Sequence, residues 1–188
     1  IEDDKINFTF EIVDTEKLYV NKINIFGNNI TSEQFIRDQL IVDEGDPFNK
    51  ILHTKSINNL KAKNLFAKVE YDVLDTDSPD QKDININIEE KPTGELMAGA
   101  GYGTDGSTFS ISISENNFKG EGVVLNSKLS LSEQTVKGFV EYVHPNIAYT
   151  DRKLSTSLES TVTDRLTAYG YKSSINKVSL GTSYEQFE

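Results

Sequence analysis

Cysteine is absent from the 188-residue chain, which excludes a disulfide framework and a thiolate metal site. Basic residues are few beside the acids. Lys and Arg number 19 against 30 Asp and Glu, and the net charge of −11 is the opposite of a nucleic-acid footprint. No run approaches 18 consecutive apolar residues, so no transmembrane helix is encoded. The chain has no initiator Met, no basic start and no apolar stretch of a signal peptide. Its two histidines, His53 and His144, lack a second ligand at metal spacing and read as ordinary polar residues. Nothing resembles an activated Ser or Cys nucleophile. The mean hydropathy of −0.46 does not decide between water and membrane. A membrane β-strand shows lipid only every second side chain, so its average stays near neutral.

What is present divides in two. Residues 1–93 carry 19 acidic and 11 basic side chains, a net of −8, and residues 94–188 carry 11 and 8, a net of −3. The first part is the more heavily solvated. The junction is the stretch Lys91–Gly106, rich in glycine, after which period-2 alternation runs almost to the end. The first and last residues sit by strand-like runs, so the chain is expected to be part of something longer.

In the first part, residues 6–13 and 18–26 read as strands, the second ended by Gly27-Asn28-Asn29. Thr31-Ser32-Glu33-Gln34 fits a capping box with Thr31 as N-cap and Ile30 as staple. It predicts a helix to about Val42, with Ile36 and Leu40 on one face. A loop over 43–47 leads to a second helix over about 49–64, with Leu52, Ile57 and Leu60 buried. Two strands follow, Ala67–Asp75 and Asp83–Glu90, joined by a polar turn. This β-α-α-β-β order can form a small sheet covered on one face by two helices.

The second part predicts six strands of about 10 residues. Leu96, Ala98, Ala100 and Tyr102 share one face. Phe109, Ile111 and Ile113 alternate with serines, and Leu125, Leu129 and Leu131 with Asn126, Lys128 and Ser130. Val136, Val140 and Tyr142, then Leu154, Leu158 and Val162, then Val178, Leu180 and Tyr184 complete the apolar sets. Tyr169-Gly170-Tyr171 suits a membrane interface. Alternation alone leaves a soluble β-sandwich open. The polar face of Ser, Thr, Asn, Lys and Glu favours a wet barrel lumen, where Glu121, Glu133, Glu141 and Glu159 would sit in the lumen or loops. Gly101–Gly106 spells a dinucleotide-type glycine pattern, but a strand follows it where that fingerprint requires a helix.

Leu18–Asn28, Glu44-Gly45, Ser78-Pro79-Asp80-Gln81, Gly94, Gly99-Ala100-Gly101-Tyr102-Gly103-Thr104, Asn117-Phe118, Gly120-Glu121-Gly122 and Pro145 together resemble the BamA family. Its members are insertases of the outer-membrane β-barrel assembly machinery. The resemblance implies that residues 1–16 end one POTRA (polypeptide-transport-associated) domain. Residues 17–92 would form the membrane-proximal POTRA domain, and 93–188 the first strands of a transmembrane β-barrel. It implies an α+β POTRA domain followed by antiparallel membrane strands, no cofactor, and a place in the bacterial outer membrane with the POTRA part in the periplasm. The implied partners are unfolded outer-membrane clients, accessory lipoproteins and outer-membrane lipid. A lateral gate would be formed by Gly94, Leu96, Ala98, Gly99, Ala100, Gly101, Tyr102 and Gly103, and Glu44 would contact the lipoprotein BamD. Two rival readings are a related POTRA-barrel transporter (TamA-like, or a two-partner secretion pore) and a soluble β-rich binding module.

Overall fold

The computed structural model describes residues 17–103, 106–147 and 152–184. The strand expected over 6–13 and the domain end expected over 1–16 lie outside the described residues.

The first unit runs β1 (Tyr19–Phe26), α1 (Glu33–Arg37), α2 (Lys50–Ala62), β2 (Phe66–Asp75) and β3 (Gln81–Glu90). Strand β3 lies in the middle of a three-stranded sheet, parallel to β1 and antiparallel to β2. Its isoleucines Ile84, Ile86 and Ile88 alternate onto the helix-covered face. Each contributes roughly 1.5–3 kcal/mol by leaving water. In β1 a strict alternation would set Val20 beside Lys22 on the core face. The register shifts between those two residues instead, and Val20 and Ile23 both enter the core. One extra residue thus keeps the lysine out.

Helix α2 presents His53, Ser56, Ile57 and Leu60 to the sheet, the i, i+3, i+4, i+7 stripe of a helix face. Leu52, expected inside, lies off that stripe and is 38% exposed. His53, expected to be an ordinary polar residue, is a core residue instead, its ring edge-on to Tyr71 at 4.9 Å.

The first helix differs from expectation at both ends. Its N-cap is Ser32, whose hydroxyl accepts from the Phe35 N–H at 3.2 Å. Thr31 is otherwise engaged: its N–H donates to Glu90 and its hydroxyl accepts from Asn117. Ile30 is exposed and staples nothing. The helix stops at Arg37, because the chain turns through Asp38–Leu40 to bring Val42 into the core. Ile41 N–H then donates to Ser56 Oγ at 2.8 Å.

The second unit is one antiparallel sheet of six strands in sequence order: β4 (Gly94–Gly103), β5 (Gly106–Phe118), β6 (Val123–Ser132), β7 (Thr135–His144), β8 (Arg152–Arg165) and β9 (Tyr171–Tyr184). A single turn of helix, α3 (Leu166–Tyr169), joins the last two and ends on Gly170. The register aligns the apolar sets across strands. Ala98 pairs with Ile111 and Ile111 with Leu129; Ala100 pairs with Phe109 and Phe109 with Leu131. Further along, Val140 pairs with Leu158 and Leu158 with Val178. The other face carries Ser112, Lys128, Phe139, Glu159 and Lys177 in one row, polar except for Phe139. One face is therefore apolar yet uncovered, with Leu96, Ile113, Val178 and Leu180 all exposed. An uncovered apolar sheet face of this extent suits lipid. Strands β8 and β9 reach 14 residues, longer than expected. Towards their α3 end Ser160 pairs with Asn176, while Val162, opposite Ser174, continues the apolar row of Leu131 and Val136. Among the described residues no helix is long and apolar enough to cross a membrane.

Candidate strand-receiving edge

Strand β4 is the first edge of the six-stranded sheet and pairs with β5 alone among the described residues. All ten of its residues are exposed. An edge strand offers alternate N–H and C=O groups to a further strand, about five residues' worth over this length. Leu96, Ala98, Ala100 and Tyr102 point to the apolar face, and Gly99, Gly101 and Gly103 to the polar one. Gly94 opens the strand opposite Glu115. A side chain on Gly101 or Gly103 would meet nothing within 4 Å, and one on Gly99 only the Ser110 hydroxyl at 3.5 Å. None of these three has the left-handed backbone that favours glycine. Within the described residues neither space nor backbone geometry calls for glycine here. What glycine and alanine do achieve is a strand with little cross-strand packing and a higher entropic cost of ordering.

The base of β4 is held firmly. Glu115 accepts from the Thr93 hydroxyl and, at 2.7 Å, from the Asn117 N–H. Asn116 donates twice to the Thr93 carbonyl, from its backbone at 3.3 Å and its side chain at 3.2 Å. Asn117 is 6% exposed. Its Nδ2 donates to Thr31 Oγ1 at 2.9 Å, across to the first unit, and its Oδ1 accepts from Gly122 N–H at 2.9 Å. Sequence reasoning assigned no role to this asparagine. The signal available was the Asn-x-x-Gly-x-Gly spacing over 117–122, a turn pattern with two positive-φ glycines.

Glu44 lies away from this edge. Its Oε1 accepts the Ile23 N–H at 3.0 Å and sits 3.5 Å from Arg37 Nη1. Arg37 Nη2 donates to the Ile23 carbonyl at 2.9 Å. Glu44 and Arg37 thereby cap both backbone groups of one residue on the free edge of β1, a way of blunting an edge strand. Glu90 makes a second carboxylate clamp: it accepts N–H bonds from Asn29, Ile30 and Thr31 at 2.9, 2.9 and 2.7 Å. Burial pushes the Glu90 carboxyl up, but the Thr31 side chain and these backbone bonds outweigh it and hold the pKa below its ordinary value. Burial lowers the pKa of His53, whose ring nitrogens have no hydrogen-bond partner among the described residues. Of the glutamates expected in lumen or loops, Glu141 accepts from Asn126 on the polar face and Glu159 shares that face with Lys177. Glu133 and Glu121 lie in turns, Glu133 accepting from the Ser107 N–H. No metal-binding group of three or more side chains occurs among the described residues.

A family model for POTRA, described as "Surface antigen variable number repeat", matches residues 18–91. The "Outer membrane protein assembly factor BamA" of Neisseria meningitidis is 28% identical over 170 residues, covering 82% of this chain and 21% of that protein. The protein of the same name in Nitratidesulfovibrio vulgaris is 25% identical over 148 residues, covering 78% and 19%. Among solved structures, BamA from Haemophilus ducreyi lacking POTRA domains 1–3 superposes with a TM-score of 0.74 at 24% identity, covering 87% of this chain and 32% of that one. CdiB from Escherichia coli shares the fold at a TM-score of 0.59 and 13% identity, covering 92% and 34%. The chain spans about a fifth of the length of the curated relatives it matches. The class defined is a POTRA domain followed by part of an antiparallel β-barrel. Within that class the chain belongs to the BamA family, whose members are assembly factors and not enzymes.

Proposed function

We propose that this chain is the membrane-proximal POTRA domain (17–92) and the first barrel strands (93–188) of an outer-membrane assembly factor, with residues 1–16 ending the POTRA domain before it. The protein folds and inserts β-barrel clients by pairing their terminal strand with β4. The supporting observation is the composition of that edge: ten exposed residues of which four are glycine and two alanine. A strand so weakly packed detaches from its barrel partner at low cost. Its freed backbone groups, costing several kcal/mol each if left unpaired in lipid, then favour a client strand. Insertion is driven by strand pairing and apolar burial, with no cofactor. The barrel lies in the outer membrane and the POTRA domain in the periplasm, where accessory lipoproteins of the BamD type dock near Glu44.

The first test is Gly99→Val with Gly101→Val in the full-length protein. Neither site offers a clash among the described residues, so the variant is expected to fold. Slower client insertion into proteoliposomes supports the reading, and an unchanged rate overturns it. At Glu44 the informative change is Glu44→Gln, which removes the charge yet keeps an acceptor for Ile23. Charge reversal would also set a second cation beside Arg37 and disturb the fold itself. Loss of lipoprotein co-purification with Glu44→Gln supports the contact, and full retention counts against it.

A further inference from the structure

We infer that the β5–β6 turn, residues 119–122, is a mechanical coupling that makes the attitude of the POTRA domain and the pairing at the base of β4 change together. The covalent path between the two units is short, running through Lys91-Pro92-Thr93, with Lys91 tied to Asn64 on the POTRA side and Thr93 to Glu115 and Asn116 on the other. One attachment would leave the POTRA domain free to swing about it. The turn supplies a second attachment. Gly120 carbonyl accepts from Ser32 N–H at 2.9 Å, and Asn117 Nδ2 donates to Thr31 Oγ1 at 2.9 Å. The contact has no slack. A Cβ on Gly120 would stand 2.1 Å from the Ile30 carbonyl oxygen, and one on Gly122 would stand 2.2 Å from the Phe35 ring. Both glycines have positive φ, so the turn's shape and its closeness have the same requirement.

The same asparagine reaches the gate strand. Its N–H is held by Glu115, which also holds the Thr93 hydroxyl and faces Gly94, the first residue of β4. On the POTRA side Thr31 is held by Glu90. An unbroken line of polar contacts thus runs from Glu90 through Thr31, Asn117 and Glu115 to Thr93. The line is buried at the Asn117–Thr31 bond and partly buried elsewhere, and such networks act as units where breaking one member leaves its neighbours unsatisfied. Tilting the POTRA domain away therefore frees Asn117, loosens Glu115 and weakens the first rung of β4 against β5. The coupling stands whatever β4 receives; its use in client insertion rests on the function proposed above.

The test uses full-length protein in lipid vesicles, in a background free of other cysteines, with spin labels on Lys61→Cys and Ser174→Cys. Hydrogen exchange of the Gly94–Met97 amides is read on the same samples without labels. Asn117→Ala and Thr31→Val are compared with the parent. Thr31→Val keeps the shape and removes only the hydroxyl, so it decides alone if Asn117→Ala does not fold. Gly45→Ala is the control: it has the same left-handed backbone with nothing within 4 Å of its Cβ. The expected result is a broadened distance distribution together with about tenfold faster exchange at the β4 base in the coupling variants, and neither change in the control. An unchanged distribution in a folded variant overturns the coupling. So does broadening with unchanged exchange, since POTRA attitude and strand pairing would then be independent. Neither readout depends on client insertion, so failure of the gate reading and failure of the coupling are told apart.

Discussion

Glu90→Ala is expected to cost the POTRA domain about 2–5 kcal/mol. The carboxylate accepts from three successive N–H groups, those of Asn29, Ile30 and Thr31. The first two donors are exposed and would rebind water, so each is worth at most about 0.5–1 kcal/mol. Thr31 is 2% exposed, and stranding its N–H costs about 1–3 kcal/mol. The sum is a large share of a typical domain's 5–15 kcal/mol, yet the domain should still fold. Glu90→Gln keeps an acceptor and loses only charge assistance, so its cost should be about half. The sign with pH follows from the lowered pKa. The contribution is full above the ordinary carboxylate value of 4.5 and is lost as pH falls through the lower folded value. The assay is native-state hydrogen exchange of the Ile84 and Ile86 amides, in the central strand, on intact protein from pH 7 down to pH 4. Stability of Glu90→Ala within about 0.5 kcal/mol of the parent would refute the clamp, since that is below the cost of stranding the Thr31 N–H alone.

Three further outcomes are expected. Gly120→Ala should loosen the POTRA–barrel contact while Gly45→Ala does not: both pay the left-handed backbone cost of about 1–2 kcal/mol, but only Gly120 faces a carbonyl oxygen. Distance measurements between the two units read the difference. His53 has a lowered pKa, so its protonation favours the unfolded chain. POTRA stability should be full above pH 6.5 and decline as pH falls below it, and His53→Leu should flatten that decline in urea titrations at pH 5.5 and 7.5. Arg37→Ala should uncover the Ile23 carbonyl on the β1 edge and speed local exchange there while leaving the Ile86 amide unchanged.

The architecture was legible where periodicity was strong. The six strands of the second unit and the facing of their side chains follow from alternation, because a period of 2 allows only one assignment of faces. The β-α-α-β-β order followed equally from turn residues and caps. What escaped were features that depend on long-range neighbours. Thr31 has the chemistry of an N-cap, and only the distant Glu90 and Asn117 explain why Ser32 caps instead. Leu52 and His53 differ by one position on a helix, and the sheet's placement decides that the histidine goes inward. Val20 and Ile23 enter the core together through a bulge that no local pattern announces. At the site, the glycines of β4 are plain in the sequence, but that a side chain on Gly101 or Gly103 would meet nothing within 4 Å is a fact of three dimensions. Asn117 bonds a residue 86 positions away, beyond the reach of any local motif.

The central claim is that β4 receives the client's terminal strand, and disulfide mapping in full-length protein tests it directly. Single cysteines at Ala98, Gly99, Ala100 and Gly101 would be paired in turn with a cysteine walked along the terminal strand of a stalled client. The account predicts cross-links in one antiparallel register, moving one client residue back for each residue forward on β4. Cross-links confined to the POTRA domain or to inner strands of the sheet, with none on β4, would contradict it.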